Sequence, residues 1–164
     1  MYQLAAFVHL LAAMVWIGGM LFLAVVLVPV ARGLQDPPGV GMRFLGQAAR
    51  RFRFPAWGAL LVLVATGIWL LVERGIGVTY LLEEQGSIAG ALRIKLALVV
   101  AVVALSALHD FGIGPRVARL MQAGGRPSAS ALQQRRLLTW LARVNVALVL
   151  VIAALGVMVV RGVP

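Results

Sequence analysis

Four long apolar stretches organise the chain: Leu4 to Val30, Pro55 to Val72, Leu96 to Leu108 with an extension back past Lys95 to Ala91, and Leu137 to Val160. A bilayer's hydrocarbon core, roughly 30 Å thick, takes about 20 helical residues at 1.5 Å each, and each stretch with its flanks approaches or exceeds that length. The pattern predicts four transmembrane helices, roughly 4–31, 54–73, 91–110 and 137–160, within a single domain spanning 1–164. The expected fold class is all-α, a polytopic membrane four-helix bundle in contact with the lipid bilayer.

The connections carry turn and surface signals. Residues 32–47 contain Asp36-Pro37-Pro38-Gly39 and lead through an arginine-rich amphipathic stretch to Pro55, a residue suited to a first helical turn. Glu73, Tyr80, Glu83 and Glu84 occupy the middle connection, which is expected to include a short surface helix. Gly112 to Ser130, with Gly124-Gly125 and Pro127, reads as a turn. No convincing internal repeat and no low-complexity segment are evident. The first stretch reads as a retained helix, because Met1-Tyr2-Gln3 has no basic side chain and the apolar run is long for an export signal.

Composition supports membrane residence: 62% of residues are hydrophobic and 12% charged, too little polar surface for a water-soluble domain of this size. The absence of cysteine leaves His, Met, Asp, Glu, Tyr and the backbone for any metal chemistry. A net charge of +10 suggests nucleic acid until its placement is read. Arg32, Arg43, Arg50, Arg51 and Arg53 fall in the first connection, and Arg116, Arg119, Arg126, Arg135, Arg136 and Arg143 in or just beyond the third; Arg74, Arg93, Lys95 and Arg161 fall on the other side. By the positive-inside rule loops 32–53 and 110–136 are cytoplasmic and both termini outside, an N-out, C-out topology in the inner membrane. The arginines then meet anionic lipid headgroups, with no nucleic-acid partner.

Polar groups inside the spans are few, and each is costly in hydrocarbon. At 100° per residue, Tyr2, His9, Ala13, Trp16 and Met20 share one face of the first helix, with Gly18-Gly19 beside it as a place of close approach. Lys95, Leu98, Val102, Ser106 and His109 share a face of the third, from which Arg93 points away, and the fourth contributes Arg143, Asn145 and Met158. His9 and His109 differ in depth by roughly 20 Å at 1.5 Å per residue, so they belong to separate sites or serve separate roles. Asp110 offers His109 a plain polar partner. The small residues of the first and fourth helices permit a homo-oligomer.

His9-Leu10-Leu11-Ala12-Ala13-Met14-Val15-Trp16-Ile17-Gly18-Gly19 resembles the opening helix of CopD-domain (copper resistance protein D) membrane proteins. Arg50-Arg51-Phe52, Leu63-Val64-Ala65-Thr66-Gly67 and Leu92-Arg93-Ile94-Lys95-Leu96-Ala97-Leu98 extend the likeness over roughly residues 9–120. That resemblance implies copper handling, by uptake, export or resistance; the candidate ligands for copper ion are His9, His109, Met14 and Met158, with the two histidines in separate sites. A second likeness, carried by His9, Trp16, Gly18, Pro29, Lys95 and His109, is to HemJ-type protoporphyrinogen oxidases. It implies haem b binding and redox work at His9, His109, Trp16, Lys95, Arg143 and Asn145. Val146 stands where that family has an acid, which favours haem binding over porphyrinogen oxidation. A membrane assembly factor without a ligand is the third reading. No catalytic constellation is identified.

Overall fold

In the computed structural model, which describes residues 1–34, 39–122 and 128–161, all regular structure among the described residues is helical. Helix α1 covers Tyr2–Gly33, α2 Val40–Glu73 and α3 Val78–Glu83. Helix α4 runs Ser87–Ala107, continues through Leu108–Ile113 and ends in Gly114–Gln122; α5 covers Ala129–Arg161. Helices α1, α2, α4 and α5 each hold more than 30 residues and an apolar window of mean hydropathy 2.0 to 2.6, so each exceeds the roughly 30 Å hydrocarbon thickness. The chain is an integral, multi-pass membrane protein.

The distribution of side-chain sizes supports this. Half of the buried apolar residues among those described are alanines (Ala12, Ala31, Ala56, Ala59, Ala89 and Ala131), whereas Phe7, Leu10, Val25, Leu61, Val100 and Val157 are among the many large apolar residues facing outward. Water would drive those large groups inward. Lipid does not, so helices associate through small residues that let backbones approach.

Two compact units divide the chain, Met1–Thr79 and Tyr80–Pro164. In the first, α1 packs antiparallel on α2. The Phe52 ring occupies the groove at Gly19, and Gly41 lies against the Ala31 carbonyl, where a Cβ would collide with backbone. The expected close approach at Gly18-Gly19 is thus made at Gly19, while Gly18 faces open space. Helix α2 closes with a Schellman motif: Ile76 N–H donates to Leu71 O at 3.0 Å and Gly75 N–H to Val72 O at 2.9 Å, with Gly75 at φ 69°. Arg74 donates to the Tyr2 hydroxyl and lies over its ring, tying the N-terminus of α1 to the C-terminal end of α2.

In the second unit α4 packs on α5. Arg93 turns away from the packed face and donates to Leu81 O at 3.2 Å, fastening the expected short surface helix α3. Ser128 caps α5 by accepting the Ala131 N–H at 3.2 Å.

Three sequence expectations change. Pro55 lies inside α2, not in its first turn, because the arginine-rich stretch from residue 40 is itself helical and already committed when the proline is reached. The third helix does not stop before Gly112 but continues to Gln122. Pro115 is accommodated by a wider turn, a π-helical segment at Leu108–Ile113, and Pro29 by another at Phe22–Leu27. A proline lacks an N–H and crowds the carbonyl four residues back; π adjustment relieves both within a membrane helix. Gly114 permits it, since a Cβ there would lie 2.6 Å from His109 O. Residues 36–38, 124, 125 and 127 of the expected turns lie outside the described residues.

The third change is a shared plan in the two units, although the sequence shows no convincing repeat. A shift of 86 positions carries His9 to Lys95, buried Trp16 to buried Val102, Phe22 to Leu108 at the start of each π segment, Pro29 to Pro115, and buried Ala31 to buried Val117. In the second helix of each pair a shift of 89 carries Ala56 to Asn145, Leu60 to Val149 and Gly67 to Gly156, with the first two pairs buried at both positions. The register of small, polar and widened positions recurs while residue identity does not.

Gly41→Ala is expected to destabilise the protein by about 1–3 kcal/mol through overpacking against rigid backbone. Gly19→Ala should cost less, because the Phe52 ring can rotate aside; thermal unfolding in detergent orders the two.

Candidate functional site

The face of α1 that meets α2 carries His9. Its Nδ1 lies 2.8 Å from Thr66 Oγ1, and Thr66 Oγ1 lies 2.6 Å from Val62 O and 3.4 Å from Leu63 O. A hydroxyl has one proton, and the backbone carbonyls accept it, so Thr66 receives the Nδ1–H of His9. This makes Nε2 the basic nitrogen of His9. Gly67 clears the space beside the ring: a Cβ there would stand 3.4 Å from His9 Cε1. Two turns along the same face Trp16 is only 7% exposed and belongs to the packed interior of the pair.

His109 stands in the π segment of α4, its Nδ1 2.9 Å from Asp110 Oδ1. The polar partner foreseen for it is the one it has. Asp110 accepts the Nδ1–H, as Thr66 does for His9. One turn earlier Ser106 accepts from Asn145 Nδ2 at 3.0 Å, joining α4 to α5; Asn145 is 8% exposed and is the buried polar residue among those described. Lys95 extends across the same pair, its Nζ 3.4 Å from the position of a Cβ on Gly156. Arg143 does not join Asn145. It faces outward and stacks on Trp140, 5.7 Å from the ring centroid.

The methionines sit less favourably for a shared site. Met14 is 60% exposed, about 140° around α1 from His9 at 100° per residue, and Met158 in the second unit is 40% exposed. Among the described residues no group of three His, Cys, Asp or Glu side chains could hold a metal ion. What the first unit offers is one oriented imidazole; what the second offers is an imidazole–carboxylate pair and the in-span amino group of Lys95.

An uncharacterized protein of Aquifex aeolicus (strain VF5) is 30% identical over 162 residues, covering 99% of this chain and 97% of its own. The chain belongs to that protein's family. The likeness therefore runs through all four long helices and both units. No family model matches the chain, and no solved structure matches it.

Sequence reading missed Thr66 as the partner of His9, and the pairing of Asn145 with Ser106. Thr66-Gly67 was the available signal: a polar residue next to a small one in an otherwise apolar span. Which helix pairs with which then decides what the hydroxyl meets. In a double-mutant cycle, Ser106→Ala and Asn145→Ala are expected to couple by about 0.6 kcal/mol, typical of hydrogen bonds between membrane helices; equilibrium unfolding in mixed micelles measures it.

Proposed function

We propose that the protein is a haem-binding inner-membrane protein in which His9 would hold the iron through Nε2, with redox work as its role. The observation that carries this reading is the Thr66 hydroxyl on His9 Nδ1. Imidazoles that bind metals characteristically donate their other N–H to an oxygen, which fixes the tautomer and the plane of the ring. Haem iron needs only one such nitrogen on each face, whereas copper(I) favours several soft donors together. The outward-facing Met14 and the absence of a three-residue ligand group among the described residues fit a copper chelate poorly. The copper handling implied by the CopD likeness is therefore the less supported reading, and a ligand-free assembly role has no particular observation in its favour.

Bound haem would supply one-electron chemistry. The residues of this chain do the rest: Thr66 orients the imidazole, Gly67 leaves room for its edge, and the surrounding apolar side chains exclude water. His109, with Asp110 on its Nδ1, has the same tautomer and the same capacity to ligate at a second station. Loops 32–53 and 110–136 face the cytoplasm in this proposal, since they hold most of the arginines.

Detergent-purified protein should show a Soret band that His9→Ala abolishes. Thr66→Val, which keeps the ligand and removes its orienting acceptor, should weaken haem affinity about 10–100-fold. Colourless protein holding stoichiometric copper that depends on His9 would overturn the haem reading in favour of copper. The topology is separable from this. The chain lacks cysteine, so single variants Ser87→Cys and Ser130→Cys in intact cells should respectively react with, and resist, a membrane-impermeant maleimide.

A further inference from the structure

The cytoplasm-proximal half of α2 carries a feature that haem binding does not use. Gln47, Arg50, Arg51 and Phe54 line a shallow depression of about 430 Å³. Their spacing of three, four and seven residues puts them on one face, opposite the face that packs Ala56, Ala59 and Leu60 against α1. Phe54 is 84% exposed, a costly position for a ring in water and an ordinary one among acyl chains. The Arg50 guanidinium folds back along the helix, with Nη1 3.7 Å from where a Gly46 Cβ would stand.

Helix direction orders these groups by depth. Side chains on an α-helix lean toward its N-terminus, and α2 runs from the arginine-rich connection into the apolar span. Arg50 and Arg51 therefore lean away from the hydrocarbon while Phe54, about one turn or 5.4 Å further on, stands at its edge. Two permanently charged forks and one carboxamide lie at headgroup depth beneath an aromatic ring at acyl depth. The only acid in α2, Glu73, stands at its far end, so the helix itself brings no carboxylate to the cluster. A planar guanidinium matches phosphate oxygens in pairs.

We propose that this depression is a binding site for the headgroup of an anionic phospholipid, with its phosphodiester on Arg50, Arg51 and Gln47 and an acyl chain along Phe54. The site is more specific than the general attraction of basic loops to a negative leaflet, because it joins charge, a hydrogen-bonding amide and an apolar ring in one register of one helix.

The test uses the full chain in nanodiscs of phosphatidylcholine with a minor fraction of phosphatidylglycerol, followed by native mass spectrometry of the released protein. The wild type should retain phosphatidylglycerol, and Arg50→Gln/Arg51→Gln should lower retention about 30-fold. Arg116→Gln/Arg119→Gln, which removes the same charge elsewhere, should leave it unchanged. Phe54→Ala, with every charge intact, should lower it by a smaller factor. Equal losses in both double variants would reduce the effect to net charge and overturn the site. Retention unaffected by Arg50→Gln/Arg51→Gln in protein of wild-type helicity would do the same. Displacement of the lipid by inorganic phosphate at millimolar concentration would assign the site to free phosphate instead. The haem spectrum is read separately, since none of these variants touches His9 or Thr66.

Discussion

Hydrocarbon offers no hydrogen bonds, and that single deficit governs how this chain uses its polar residues. Each polar side chain of the spans must be satisfied by protein or else cost several kcal/mol. His9 meets this requirement through Thr66, His109 through Asp110, and Asn145 through Ser106. In two of the three cases the partner comes from the neighbouring helix of the same unit, so the bond that satisfies the group also holds the pair in register. Packing does the remainder with alanine and glycine, since in lipid there is no gain from hiding large apolar side chains.

Much of the architecture was legible because hydropathy and length are read against a fixed thickness. Four runs of membrane length could not be arranged otherwise than as four helices, and the polar face of α1 from Tyr2 through His9 to Trp16 followed from 100° per residue. The helix ends were not legible. The arginines and Gln47 between Arg43 and Arg53 lower hydropathy without lowering helix propensity, so the apolar pattern stopped at Pro55 while the helix did not. Pro115 carried a stop signal that the π segment before it cancels, and nothing in Leu108-His109-Asp110-Phe111-Gly112-Ile113 announces a wider turn. The site was half legible: His9 and Asn145 stood out as costly, but their partners depend on which helices touch, and that information lies in small residues with little sequence character of their own.

The common plan of the two units sharpens the meaning of individual positions. Lys95 and His9 occupy matched places, each against a glycine of the helix opposite, so a nitrogen-bearing side chain beside a glycine is a property of the plan and the choice of imidazole or lysine is what distinguishes the halves. Both tolerate their surroundings because the opposite residue has no side chain. A larger residue at Gly67 or Gly156 would press on the polar group and on the helix spacing together.

The wide turns before Pro29 and Pro115 have an implication for how such a chain can change over time. A regular helix fixes which side faces its neighbour, and one added or lost residue swings everything beyond it by about 100°. At a turn that already holds a surplus residue, such a change can be absorbed locally. These two places are therefore where the spans can absorb a change of length while the buried loop-side residues Ala31 and Val117 keep their packing.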